Sequence, residues 1–204
     1  MSAPTIDDGE EGAGRGWLGV AGYVVFVALG CLWVFWFANA LGPAVQSQAD
    51  APCRALEPKL RSGPAPDFEV ERLDGTKATL GELRGKFVVV NFWATWCEPC
   101  IREWPQLDRL AERLADRGDV EVLAISVDQD RTKVAPFLAR MGLEQTGVRV
   151  LWDPTGKLNT AFGSEKLPDT YFVDRSGQLV HAYINVRDWG RPAAHRCVES
   201  MLAR

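Results

Sequence analysis

The apolar positions of this chain follow two regimes. From Gly16 to Ala49 they run on with no ionisable side chain except Tyr23 and Cys31. Within that block, Trp17 to Leu41 reads as one apolar helix of about 25 residues, and a bilayer core takes about 20. Trp17 at one end, and Trp33 and Trp36 towards the other, suit interfacial rings on an anchoring helix. Beyond residue 67 the apolar positions alternate between strand and helix periods.

In that second regime, "DFEVERL" and "KATL", joined through Asp74-Gly75, predict a β-hairpin. "KFVVVNFWA" (Lys86 to Ala94) is a continuous apolar run, as in a strand covered on both faces. Cys97 to Arg117 reads as a helix, with Ile101, Trp104, Leu107, Leu110 and Leu114 at helical spacing. Val120 to Val127 is a second buried strand, Arg131 to Met141 a helix, and Val148 to Trp152 a short strand. A turn at Asp153-Pro154 leads to a short helix over Leu158 to Phe162. Asp169 to Asp174 and Gln178 to Ile184 are strands joined by "RSG", and Ala193 to Leu202 closes the chain as a helix. The order predicts an α/β fold, a mixed sheet flanked by helices, preceded by one transmembrane helix.

Gly42 to Pro66 is rich in Ala, Pro and small polar residues and reads as a tether. The expected organisation is therefore a tail over 1–16, a transmembrane helix over 17–41, a tether over 42–66 and a folded domain over 67–204. A cleaved signal peptide competes with a retained anchor, because "FANA" carries an A-x-A-like site at Ala38 and Ala40. Against it, the apolar run is longer than a signal core. The preceding stretch carries Asp7, Asp8, Glu10 and Glu11 with Arg15 as its one cation. Flanking charge leaves the orientation open: Arg15 precedes the helix, while Arg54, Lys59 and Arg61 follow it. The net charge of −4 and the lack of a basic run give no sign of nucleic-acid binding.

Chemistry enters at "NFWATWCEPCIREWP" (Asn91 to Pro105). The buried strand ends near Thr95, so Cys97 falls at the first turn of the next helix, where free N–H groups and the helix dipole favour a thiolate. The i, i+3 spacing sets Cys97 and Cys100 on one face, and Pro99 is tolerated in a first turn. Cys97 is placed to attack and the more enclosed Cys100 to resolve. Zinc would require two more ligands, and Cys53, Cys197, His181 and His195 form no second close pair along the chain. A structural staple over so short a loop constrains the unfolded chain little. A redox pair that needs neither metal nor cofactor is the reading that remains.

"FWATWCEPC" and its surroundings resemble the thioredoxin superfamily, and within it the TlpA/ResA/CcmG group of membrane-anchored extracytoplasmic thioredoxins. The resemblance runs from about Ala65 to Arg204. It includes "PDFEVERLDGTKATLGELRGK", Pro105 five residues after Cys100, and "KLPDTYFVD". It implies a thioredoxin-like fold, Cys97 as nucleophile, Cys100 as resolving thiol, and Pro168 as the family's cis-proline. Pro168 and Leu167 would present backbone to a substrate segment, with Trp96 at the rim of the site. Trp93 is either part of that surface or plain core packing. Thioredoxin's buried aspartate, six residues before the first cysteine, is replaced by Asn91, which cannot act as a base. Glu103 matches an acidic position of the ResA-like subgroup and is the candidate proton carrier, its other reading being an exposed helix-surface charge.

The resemblance also implies a single-pass protein of the cell membrane with its domain on the extracytoplasmic side. Its partners would be a membrane electron donor and disulfide-containing exported proteins, such as apocytochrome c or metal-site assembly proteins. Glu98 and Glu103 near Cys97, with Arg102 the only local cation, disfavour the thiolate and so favour a reductant over a strong oxidant. A peroxiredoxin-like peroxidase would carry a single peroxidatic cysteine in a Thr-containing loop. A Sco-like copper module would have a wider cysteine gap and a distant histidine, whereas His181 reads as a strand-surface residue. Cys53 and Cys197 are a possible bridge between tether and last helix, their separation not being legible here. Cys31 reads as a small packing residue of the apolar helix.

Overall fold

The computed structural model describes residues 13–49 and 51–203, and the chain divides after Gln48 into two compact units. In the first, α1 (Ala13–Ala49) is a continuous helix. Its segment Gly19–Ala40 has a mean hydropathy of 2.2 and buries none of its side chains, so it is long and apolar enough to cross a membrane. Trp33 and Phe37, one turn apart, stack at 5.2 Å between ring centroids. The expected acidic tail lies mostly outside the described residues.

The second unit is built on one sheet of β1 (Lys59–Leu60), β2 (Glu69–Arg72), β3 (Lys77–Thr79), β4 (Phe87–Trp93), β5 (Val120–Ser126), β6 (Arg149–Trp152), β7 (Asp169–Val173) and β8 (Leu179–Ile184). The strand order is β1-β8-β7-β4-β5-β6-β2-β3. The pairs β4–β5 and β5–β6 are parallel, and the remaining pairs are antiparallel. The parallel crossovers run through α2 (Glu98–Leu114) and α3 (Val134–Arg140). Two further helices, α4 (Leu158–Ala161) and α5 (Pro192–Leu202), complete the fold. This is the mixed sheet flanked by helices that the alternating periods predict.

Central strand β4 shows why its sequence is a continuous apolar run: all seven residues are buried. Phe87, Val89 and Trp93 enter one core cluster with Trp104, Leu107 and Leu110 of α2 and Val198 of α5. Val88, Val90 and Phe92 enter the other, with Phe68, Leu151, Phe162 and Tyr171. A strand with no solvated face has no polar alternation to show.

The expected tether is the main correction. Residues 51–56 form a 3₁₀ turn that buries Cys53 and Leu56. Lys59 and Leu60 then pair with Ala182 and His181 of β8, and Pro64 bridges to Gln178. The folded domain therefore begins near residue 51 rather than at Asp67. The segment has no signature in the sequence because two paired residues and two buried side chains make no periodic pattern. Its anchor is covalent: Cys53 and Cys197 are bonded at 2.07 Å across a separation of 144 residues.

Closing so long a loop removes much of the unfolded chain's freedom, and such bridges contribute about 2–4 kcal/mol. Replacing both Cys53 and Cys197 by Ala is expected to lower the unfolding free energy by about that amount. Denaturant titration under non-reducing conditions measures it, and an unchanged midpoint would contradict a stabilising bridge.

Candidate active site

The site is set where β4 runs into α2. Cys97 is the N-cap residue of α2, with extended backbone at φ −88° and ψ 96°, and its sulfur accepts the Cys100 N–H at 3.3 Å. The two sulfurs are bonded at 2.00 Å, with the Cα atoms 5.2 Å apart. Cys97 is 5% exposed and Cys100 1%, the order expected for an attacking and a resolving thiol. Pro99 sits in the first turn of α2 without disturbing it.

The loop leading to Cys97 is held by Asp128, which the sequence reading missed. This buried carboxylate accepts the Thr95 backbone N–H at 3.0 Å, the Thr95 hydroxyl at 2.7 Å and the Ser126 hydroxyl at 2.7 Å. Its own carbonyl accepts the Trp152 indole N–H at 2.6 Å. Beside the enclosed cysteines, Trp96 is 69% exposed and forms the rim. Trp93 is fully buried and meets Trp104 edge-on at 4.8 Å, so it belongs to the core.

Glu103 lies one helical turn beyond Cys100 on the same face of α2 and is only 2% exposed. It is therefore not the surface charge that was its other reading. Oε1 accepts the Arg187 backbone N–H and the Trp189 indole N–H, each at 2.8 Å. Oε2 accepts the Asn91 side-chain amide at 3.1 Å. Burial pushes the Glu103 carboxyl up to about 7, against the three donors and the Arg187 charge, which pull it down. Asn91 thus supplies a donor to the carboxylate from β4, and it also donates to the Thr170 hydroxyl at 3.0 Å. Arg187 and Trp189 come from the connection between β8 and α5, which carries no motif. A tryptophan within the polar stretch "NVRDWGRP" was the available signal, and it is fully buried.

The Leu167–Pro168 peptide bond is cis, as the resemblance implied. Asp169 pairs with Phe92 and Thr170 with Asn91, so the register sets Pro168 level with Trp93, the last residue of β4, where the chain leaves for the cysteine loop. Leu167 packs against the core cluster that contains Cys97, Cys100 and Trp104. The fold therefore brings Cys97, Cys100, Glu103, Trp96, Leu167 and Pro168 to one end of the central strands. The Glu98 carboxylate is drawn off by Arg102 at 3.2 Å on the helix surface, so Glu103 is the acid enclosed on the cysteine face of α2.

One expectation, about the histidine, is overturned. His181 is 1% exposed, not on the strand surface. Residues that form no close pair along the chain, Cys53, His181 and Cys197, have their ligand atoms within 4.8 Å of one another.

The AhpC/TSA family model matches residues 62–182. The chain is 36% identical over 115 residues to the thiol-disulfide oxidoreductase ResA of Geobacillus thermodenitrificans, covering 56% of this chain and 64% of that one. It is 35% identical over 120 residues to ResA of Bacillus anthracis, covering 59% and 67%. The aligned stretch thus spans about two thirds of these relatives' own length. Among solved structures, a putative thiol:disulfide interchange protein DsbE from Chlorobium tepidum superposes with a TM-score of 0.58 at 25% identity, over 71% of this chain and 97% of that one. A thioredoxin-family thiol:disulfide interchange protein from Chlorobium tepidum TLS gives 0.58 at 27% identity, over 71% and 99%.

The Glu103 carboxyl sits above its unfolded value of 4.5. Its contribution to stability is therefore present in full below pH 4.5 and is lost as pH rises through about 7. The shift corresponds to about 3 kcal/mol. Glu103→Gln keeps the shape and removes the titration. The stability of the native chain relative to this variant is expected to fall by about that amount between pH 4 and pH 8. Denaturant unfolding of both proteins across that range checks it, and parallel pH profiles would contradict a titrating Glu103.

Proposed function

Since the chain belongs to the AhpC/TSA family, and its fold is thioredoxin-like, we propose that it is a membrane-anchored thiol-disulfide oxidoreductase working through Cys97 and Cys100. The observation that carries this reading is the bonded Cys97–Cys100 pair at the N-terminus of α2, with a buried carboxyl one turn further on. ResA relatives named thiol-disulfide oxidoreductases support it.

In the reduced enzyme, the Cys97 thiolate attacks one sulfur of a substrate disulfide and releases the other as a thiolate. The Cys100 thiolate then attacks Cys97 Sγ, breaking the mixed disulfide and restoring the Cys97–Cys100 bond. Two electrons pass to the substrate, whose two sulfurs leave as thiols. Glu103, balanced near neutrality and on the Cys100 face of α2, takes the Cys100 proton as that thiol becomes the nucleophile. Backbone at Leu167 and Pro168 pairs with the substrate segment, and Trp96 covers it from the rim.

Electrons run outward to substrate in this reading. Glu103 gains negative charge as pH rises through about 7, and enclosed negative charge near a thiol disfavours the thiolate and so the reduced state's excess stability. The pair is kept reduced by a membrane electron donor. The helix over residues 17–41 anchors the chain, with the domain on the extracytoplasmic side. The substrates are exported proteins with disulfides to be opened, such as apocytochrome c or metal-site assembly proteins.

Cys97→Ser is expected to abolish reduction of a model protein disulfide such as that of insulin. Cys100→Ser is expected to leave substrates bound through Cys97, so that mixed disulfides accumulate and can be isolated from cells under non-reducing conditions. Activity that survives Cys97→Ser would remove the assigned nucleophile. The midpoint potential of the pair is expected well below the roughly −120 mV of a strong oxidant, and equilibration with glutathione or a thioredoxin reads it. A value at that level would reverse the proposed direction.

A further inference from the structure

Residues 185–191 join β8 to α5 and form neither helix nor strand, yet two of the three donors on Glu103 come from them. The two donors are held differently. The Trp189 ring is fully buried and packs against Phe172 and Tyr183, at 6.0 and 5.1 Å between ring centroids. The core therefore fixes its indole N–H. The Arg187 backbone N–H lies in a stretch, residues 185–188, that is exposed or half-buried throughout.

What holds that stretch is the Arg187 side chain folded back on it. Nη1 donates to the carbonyls of Ile184 and Val186 at 3.0 and 2.9 Å, with that of Asn185 at 3.5 Å. Nε donates to the Leu56 carbonyl at 2.7 Å. Leu56 ends the 3₁₀ turn that the Cys53–Cys197 bond ties to α5. The chain turns at Asn185, in the left-handed region at φ 72°, and the Asn185 N–H is held by Asp169 at 2.8 Å. Carbonyls gathered in this way repel one another unless a donor sits among them, and a guanidinium offers five N–H groups in a rigid fork.

We propose that Arg187 is the positioning residue of the Glu103 carboxyl: its guanidinium clamps residues 184–187 to the 51–56 turn and so keeps the Arg187 N–H on Oε1. This role rests on Glu103 being the proton carrier of the reaction above, and it accounts for how that carboxyl stays poised. Around Glu103, β4 presents the neutral Asn91, and the β8–α5 connection presents the neutral Trp189 and the charged Arg187. The start of α2 presents the Cys97–Cys100 pair, which does not titrate while bonded. Of the groups that pull Glu103 down, the Arg187 backbone N–H acts most strongly and the Arg187 charge least. Glu57 Oε2, 4.0 Å from Nη2, offsets part of that charge. The side chain therefore acts on Glu103 mainly through the N–H it places.

The test titrates Glu103 by NMR in the full-length chain in detergent, with side-chain-labelled glutamate and the Cys97–Cys100 bond intact. Loss of one carboxyl signal in Glu103→Gln assigns it. In Arg187→Lys the charge remains, but an ammonium cannot join Leu56 to the loop carbonyls as the fork does. Arg187→Lys and Arg187→Ala are each expected to raise the Glu103 midpoint by about one pH unit, because a donor to the carboxylate is lost while its burial remains. Should Arg187→Ala fail to fold, Arg187→Lys decides alone. An arginine that only stabilised the fold would lower the denaturant midpoint and leave the titration in place. The proposal is overturned by a midpoint in Arg187→Lys equal to the parent's, which would leave charge or stability as the whole effect. A downward shift overturns it too, since Arg187 would then be excluding water and not presenting a donor. The rate at which Cys100 resolves a mixed disulfide, followed across pH, separates this from the proton-carrier reading. A rate profile unmoved by Glu103→Gln would remove Glu103 as the carrier, whereas the dependence of its carboxyl on Arg187 is read by the titration.

Discussion

A strand sealed on both faces and running into the N-terminus of a helix governs the working end of this molecule. Because β4 cannot shift without opening two core clusters, the point at which its chain leaves the sheet is fixed. Asp128 then holds the loop backbone at Thr95, and Cys97 is delivered to the N-cap position of α2. The helix contributes unpaired N–H groups and its dipole there, the surroundings that favour a thiolate over a thiol. Precision comes from the packed strand and chemistry from the helix end. Neither alone makes a site.

Enclosure of a carboxyl behind the cysteines is the second consequence of that packing. Glu103 is taken out of water by α2 closing on the sheet, and the charge is tolerated because Asn91, Arg187 and Trp189 aim three donors at it. Desolvation and hydrogen bonding oppose each other, and the balance falls near neutrality. A group so poised changes charge with small changes in its surroundings, which is the property that the proposed role as proton carrier draws on.

The N-terminal segment after residue 51 depends on different physics. It has too little apolar surface to hold itself on the domain, with Cys53 and Leu56 its buried side chains. A two-residue strand on β8 and one covalent bond to α5 hold it there. This is a common solution where a short segment cannot bury enough surface to offset its loss of chain entropy. It also draws two sulfurs and a histidine into one dry pocket.

The sequence by itself determined the elements of the folded domain from the hairpin at Asp74-Gly75 to the closing helix, along with the apolar helix that precedes it. Apolar period depends on neighbours a few residues apart, and local order preserves it. The same locality made Cys97 and Cys100 legible as a pair, since their spacing and the strand-to-helix change lie within one short stretch. Tertiary structure alone decided the burial of Glu103, the part played by Asp128, and the arrival of Arg187 and Trp189, which are more than eighty residues from the carboxyl they serve. It alone decided that Cys53 meets Cys197 across 144 residues and that His181 faces inward. The reason is physical. A contact between distant segments leaves no period in either, because it is fixed by how sheet and helices pack and not by the spacing of residues along the chain.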